Sequence, residues 1–334
     1  MSLLPRRPQL IFSADYARDV VRSIDHAKKR IAIVVTTFRD DDPQTQSIVE
    51  ALCRAGDRGL LVSICTDIYT YLEPKEFVLR SPKRQPARAY QAMKLEHHLK
   101  QHGIHFRWLG RTGNIPLAGR THSKWLIIDN TVYSFGGLNL DRESLGNNDY
   151  TFKFQDALLA DHLFNEHSRL LGADRGAHAS RSHHFAIDGD STVLIDGGFF
   201  GDSIIYRHAT KLASAATDIV LVSQYCPTGK LNRILRRKKA TVYFNHWRKA
   251  AWINKILIQF GMLFTHQTTL YNRTPYLHAK FAIFTMPDGK KIAITGSHNF
   301  MFGSGLLGTR EIGLETSNPV IIAQLERFLR EHVK

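Results

Sequence analysis

The hydrophobic pattern of the first half of the chain returns in the second half. HAKKRIAIVVTTF (26–38) and SAATDIVLVSQYC (214–226) each read as a helix end running into a strand apolar enough to be buried. KLEHHLKQHGIHFRWL (94–109) and WINKILIQFGMLFTHQ (252–267) each read as a helix, a glycine and a further strand. RTHSKWLIID (120–129) parallels PYLHAKFAIFT (275–285), GGLN (136–139) parallels GSHN (296–299), and NDYTFKF (148–154) parallels TREIGLET (309–316). A helix closes each copy, in DHLFNEHSRLL (161–171) and VIIAQLERFLREH (320–332).

Strands alternating with helices predict an α/β fold, and the duplication predicts two similar α/β/α sandwich halves. The first repeat is expected over 1–171 and the second over 191–334. GADRGAHASRSHHFAIDGD (172–190), rich in small residues and without periodicity, reads as the linker between them. Two such halves can pack about a pseudo-twofold axis, as the subunits of an isologous dimer do. Equivalent residues then face each other across one cleft, where a single active site is expected.

In a strand, residues i and i+2 share a face, so His122 and Lys124 are expected to point together, with Ser123 and Trp125 opposite. His278 and Lys280 repeat the arrangement. Gly136, Gly137 and Gly296 allow a backbone to approach a ligand closely, and Asn139 and Asn299 offer amide donors to it. One histidine near one lysine is an ordinary solvated face. Two copies, each followed by Gly-Gly/Ser-x-Asn at similar distance, mark a site.

His122-x-Lys124-x4-Asp129-x6-Gly136-Gly137-x-Asn139 resembles the HKD signature of the phospholipase D superfamily, and His278-x-Lys280 with Gly296-Ser297-His298-Asn299 resembles its second copy. GGLNLDRES (136–144) and YLHAKF (276–281) are most similar to bacterial cardiolipin synthases and related phosphatidyltransferases. The second copy departs from the pattern at Thr285, where the aspartate would stand. MPDGKK (286–291) then reads as a hairpin turn around Asp288-Gly289.

The resemblance implies a two-step phosphodiester chemistry. His122 would attack phosphorus to form a covalent phosphohistidine, and His278 would protonate the leaving oxygen, then activate the acceptor. Lys124, Lys280, Asn139 and Asn299 would neutralise and hold the phosphoryl oxygens, with no metal and no cofactor. Each imidazole needs a partner on its other nitrogen, and Asp149 and Glu311, at equivalent places downstream, are expected to supply it across the pseudo-twofold. Asp129, Gly137 and Ser297 are expected to support the site from behind.

The 334 residues carry a net charge of +15 and a pI near 9.8, which favours a polyanionic partner. That partner is expected to be anionic phospholipid at a membrane surface, with nucleic acid as the alternative and a non-catalytic binding protein as a third reading resting on Thr285. No apolar run reaches the roughly 20 residues of a spanning helix, and none of signal-peptide length opens the chain. A cytoplasmic protein, peripheral on the inner face of the membrane and functional as a monomer, is the expectation. Cys53, Cys65 and Cys226 lie far apart, form no CxxC pair, and read as reduced thiols. RILRRKKA (233–240) reads as a solvated basic helix face, and SPKRQPARA (81–89) as a basic loop near the cleft. NHWRKAAWINKILIQFGMLF (245–264) reads as a helix packed on the sheet, although its Trp247, Trp252 and cations also suit a membrane interface.

Overall fold

The computed structural model describes residues 6–71, 87–110, 120–176, 179–249 and 252–334. Of the basic loop 81–89, residues 81–86 lie outside the described residues and 87–89 open a helix.

The first half builds a sheet from β1 (Arg6–Phe12), β2 (Arg30–Val35), β3 (Leu61–Asp67), β4 (His105–Leu109), β5 (Trp125–Ile128), β6 (Thr131–Ser134) and β7 (Tyr150–Gln155), in the order β1-β7-β6-β5-β2-β3-β4. Its helices are α1 (Ser13–Asp25), α2 (Pro43–Asp57), α3 (Ala87–Gln101), the short α4 (Arg142–Gly146) and α5 (Ala157–Gly176). The second half has β8 (His183–Ala186), β9 (Ser191–Gly197), β10 (Asp218–Val222), β11 (Thr241–Tyr243), β12 (Phe281–Thr285), β13 (Lys291–Gly296) and β14 (Arg310–Thr316), ordered β11-β10-β12-β13-β14-β9-β8. Its helices are α6 (Ile204–Ala215), α7 (Gly229–Arg237), α8 (Trp252–Thr265), α9 (Phe302–Leu306) and α10 (Pro319–Phe328).

Six strands correspond in order, β1-β7-β6-β5-β2-β3 with β9-β14-β13-β12-β10-β11. The seventh differs. In the first half, Gly103 takes φ +71 after α3 and lets the chain turn back as β4 beyond β3. In the second half Gly261 stays inside α8, and the expected strand after it does not form. His266 ends that helix at φ +49, and Leu270 N merely donates to Val242 O (3.1 Å) at the sheet edge. The extra strand is β8 instead, at the opposite edge. It arises within 172–190, a segment that also carries the end of α5.

Local chemistry fixes the helix starts. Asp42 and Thr45 form a reciprocal capping box ahead of α2, with Pro43 in the first turn. Asn318 caps α10 by accepting from Val320 N, followed by Pro319.

Alternation then sorts the strands into three cores. On β5, Trp125 and Ile127 face the shared core while Leu126 and Ile128 face α1–α3. On β12, Phe281 and Ile283 face the same shared core while Ala282 and Phe284 face α6 and α7. The shared core therefore lies between the two sheets, and α5 and α10 contribute Leu163, Leu325 and Phe328 to it. Phe328, fully buried, sits edge-on to Tyr150 of the first half (4.9 Å) and to Phe281 of the second (6.2 Å). Burying one such ring is worth about 3 kcal/mol. Polar ties cross the same layer: Thr295 Oγ1 donates to Phe135 O (2.7 Å) and stands 2.6 Å from Tyr150 Oη.

Candidate active site

His122 and His278 precede the central strands rather than lying in them, since β5 begins at Trp125 and β12 at Phe281. Their backbones pair across the halves instead. His122 N donates to Arg310 O (2.8 Å) and Arg310 N to Arg120 O (2.8 Å). In the same way His278 N donates to Asn148 O (3.0 Å) and Asn148 N to Tyr276 O (2.8 Å). Each histidine is thus held by the residue just before the carboxylate of the opposite half.

Those carboxylates reach the rings. His122 Nδ1 lies 3.0 Å from Glu311 Oε2 and His278 Nδ1 lies 2.6 Å from Asp149 Oδ2. With Nδ1–H donating, each Nε2 keeps its lone pair for the cleft. His122 Nδ1 also lies 3.1 Å from Ser297 O, and the Ser297 hydroxyl donates to Glu311. The equivalent position is Gly137, whose N–H donates to Asp149 Oδ1 (3.3 Å). No side chain fits there, because a Cβ would stand 2.8 Å from His278 Nδ1.

Lys124 and Lys280 are buried among these groups. Each ammonium turns back to the carbonyl of its own histidine, and Lys124 Nζ also donates to Thr36 Oγ1 (2.9 Å). The electrostatics tie the halves together: Lys280 acts on His122, and Lys124 acts on His278. Asn139 has its Oδ1 fixed by Thr36 N (3.1 Å), which aims the amide nitrogen elsewhere. Asn299 Oδ1 is buried without a hydrogen-bond partner, and so is Nε2 of His298 beside it.

Asp129 does not join this cluster. It follows β5 at φ +51, seven residues and roughly 20 Å of extended chain from His122. Its carboxylate accepts from the backbone of Lys28 (2.8 Å), Lys29 (2.8 Å) and Arg30 (3.0 Å), pinning the entry to β2. The expectation that it supports the site from behind is corrected: a strand carries it to the far end of the sheet. Thr285 occupies the same far end of β12, where its carbonyl accepts from Thr217 N (2.7 Å) and Thr217 Oγ1 (3.0 Å). The departure from the motif therefore lies at the sheet's far end, away from His278.

Burial lowers His278 to about 4, with Lys280 adding to the effect, and lowers His122 against the pull of Glu311. Burial and the nearby Lys280 bring Lys124 down to about 7, and burial brings Lys280 to about 8. Burial alone would raise Glu311; His122 and the surrounding basic side chains outweigh it and hold the carboxyl at about 2. The cleft thus sets an ionised Glu311 beside His122, while burial works against charge on both imidazoles and both lysines.

A cavity of about 140 Å³ opens beside His278, lined by Thr37, Arg39, Asn139, Asp141, Gln224 and Tyr276 among others. Sequence reasoning missed most of these. The one signal was the alignment of VVTTF with LVSQYC, which places Thr36–Thr37 and Ser223–Gln224 at equivalent strand ends.

Residues 20–171 match a family model described as cardiolipin synthase, PLD-like domain. Among solved structures, the phosphatidylserine synthase of Haemophilus influenzae Rd KW20 is similar over 100% of this chain and 88% of its own, at 15% identity and a TM-score of 0.72. The polyphosphate kinase of Porphyromonas gingivalis is similar over 97% of this chain and 50% of its own, at 12% identity and a TM-score of 0.64. Nuc from Salmonella typhimurium, a phospholipase D family member, covers 50% of this chain and 95% of its own, at 20% identity and a TM-score of 0.37. No curated protein matches the sequence.

Proposed function

We propose that this chain, whose residues 20–171 match a phospholipase D-like domain and whose fold is shared with a phosphatidylserine synthase, is a member of the phospholipase D superfamily that transfers phosphatidyl groups between alcohols. The observation that carries this reading is the exchange of carboxylates: each imidazole of the pair is oriented by an acid from the other half. His122, the more open at 21% side-chain exposure against 10% for His278, acts as nucleophile through Nε2. The P–N bond forms as the P–O bond to the leaving alcohol breaks, and His278 gives that oxygen a proton. Asp149 stabilises the imidazolium that this role needs, and the incoming phosphate anion between Lys124 and Lys280 favours its protonation. In the second step His278 takes the proton of the acceptor hydroxyl as it displaces His122 from phosphorus.

A surface groove supports a lipid substrate over a nucleic acid. A cavity of about 650 Å³ runs between α6 and α7 to α9, the short helix that follows Asn299. Its walls are largely carbon, from Tyr206, Phe302 and Leu306, and Lys211, Lys230 and Arg233 line it with no ion pair among the described residues. Phe199, Phe200, Phe302 and Leu306 are about half exposed. Apolar surface framed by cations suits an anionic bilayer, whereas a nucleic-acid groove needs cations along a polar track. No described helix is long and apolar enough to cross a membrane. The small cavity at His278 holds a headgroup only, so the acyl chains stay outside it.

The test incubates the protein, with and without EDTA, with phosphatidylglycerol vesicles plus glycerol or serine, and separately with single-stranded DNA. Diphosphatidylglycerol or phosphatidylserine supports the proposal. Phosphatidic acid alone makes the protein a hydrolase, cut DNA a nuclease, and no product a binding protein. His122→Asn should abolish an acid-labile phosphoryl-enzyme; persistent labelling would overturn its role.

A further inference from the structure

A second cluster of reactive side chains lies apart from the cleft. Strands β2, β3 and β4 run parallel, so the helices between them, α2 and α3, also run parallel to each other. Cys53 is the eleventh residue of α2 and His98 the twelfth of α3, which puts them at one level. Their partners one turn on are Asp57 and His102. The ligand atoms of Cys53, His98 and His102 all lie within 4.8 Å of one another.

We propose that Cys53, His98 and His102 bind a zinc ion that staples α2 to α3. The Cys53 Sγ to His98 Nε2 separation is 3.5 Å. A tetrahedral zinc with a thiolate at about 2.3 Å and an imidazole at about 2.05 Å requires a sulfur–nitrogen separation of about 3.5 Å. His102 Nδ1 lies 2.7 Å from Asp57 Oδ1, so its proton is spoken for and Nε2 is the ligand. A carboxylate behind a ligating imidazole is the arrangement that fixes its tautomer and raises its basicity. Gly56 is the steric condition for the approach, since a Cβ there would overlap the His102 carbonyl. A glycine in a helix costs about 1 kcal/mol relative to alanine, and here it admits the partner helix's end. Burial, and then the negative charges of Asp57 and Glu50, raise the Cys53 thiol, opposed only in part by Arg54, which is itself paired with Asp25.

Mixed thiolate and imidazole ligands select zinc over magnesium or calcium. On binding, the Cys53 S–H bond breaks, the sulfur–zinc bond forms, and the proton leaves to solvent. Water completes the tetrahedron on the exposed side of His98. Cys53 and His98 sit near the C-terminal ends of their helices, at the opposite end of the parallel strands from the residues that follow β2 into the cleft. The role is therefore structural: the ion fixes α3, whose first turns contribute Arg88 and Gln91 to a cavity shared with Phe38 and Arg39.

The full chain, stripped with chelator and titrated with cobalt(II), should develop a thiolate-to-cobalt charge-transfer band and tetrahedral d–d bands that saturate at one equivalent and vanish on adding zinc. Cys53→Ser should remove the charge-transfer band, and the solvent-exposed His98→Gln should abolish saturation at one equivalent without loss of helical signal. Asp57→Asn should weaken zinc by about 10–100-fold. Cys226→Ser should change none of this. A band that survives Cys53→Ser, or stripped protein that shows no stoichiometric cobalt signal, overturns the site. None of these readouts requires turnover, so they stand apart from the phosphatidyl-transfer assay.

Discussion

His278 and Asp149 lie 129 residues apart in the chain, yet Nδ1 of the one stands 2.6 Å from Oδ2 of the other, with Glu311 and His122 mirroring the pair at 3.0 Å. An orienting carboxylate keeps its imidazole in one tautomer and stabilises the cation. Asp149→Asn and Glu311→Gln should therefore each lower kcat by about 10²–10⁴-fold with little change in KM. Steady-state kinetics on phosphatidylglycerol vesicles read this directly. Losses below fivefold would show that the carboxylates only support the fold.

The buried lysines give an affinity test. Lys124 and Lys280 titrate near 7 and 8, because burial disfavours their charged forms. A singly charged phosphodiester such as dimethyl phosphate binds the protonated ammonium groups, so its affinity should fall by more than about tenfold between pH 7 and pH 9. Competitive inhibition measured across that range checks the sign. A flat profile would place the anion away from both lysines.

His298 offers a stability test. Its ring is buried with Nε2 unpartnered, and burial lowers it to about 4 from 6.5. The unfolded chain binds the extra proton first, so the stability of the neutral buried ring is complete above 6.5 and lost as pH falls through about 4. His278 and His167, also lowered to about 4, act in the same direction. Leu138 fills the equivalent place in the first half. His298→Leu should therefore flatten the decline of melting temperature between pH 6.5 and pH 4. An unchanged slope would move the acid sensitivity elsewhere.

Thr295 tests the joint between the halves. Thr295→Val keeps the shape but leaves the Phe135 carbonyl and the Tyr150 hydroxyl without their partner. The expected loss is about 1–3 kcal/mol in urea unfolding. A neutral result would mean that the apolar layer alone holds the sheets together.

Asp129→Ala should do the converse of the active-site changes. Three backbone amides lose their acceptor, so stability should drop by about 1–2 kcal/mol, while kcat of the folded protein stays unchanged. A large fall in kcat at full folding would return Asp129 to the site.

The duplication was legible because it is written as local pattern: apolar runs, helix ends and the His-x-Lys spacing all fall within short windows. The same holds for the carboxylates, which occupy equivalent places in matching segments. Asp129 was misplaced because closeness in sequence was read as closeness in space, whereas an extended β5 carries residues apart at about 3.3 Å each. The cleft residues Thr37, Asp141, Gln224 and Tyr276 come from four separate segments, and no single window holds them. β8 escaped notice because four half-exposed residues on a sheet edge, HHFA, have no apolar run to announce them. The Cys53–His98 contact depends on two helices lying side by side and on the missing side chain of Gly56, neither of which any spacing rule encodes.

The crossed pairing of imidazole and acid also sets a schedule for the newborn chain. A ribosome that has just released His122 must add 189 further residues before Glu311 emerges to receive it. Until then the proposed nucleophile has no orienting acid and no facing imidazole. The nascent polypeptide therefore stays chemically silent beside the membranes and nucleic acids around it, and becomes competent only when the second sheet closes on the first.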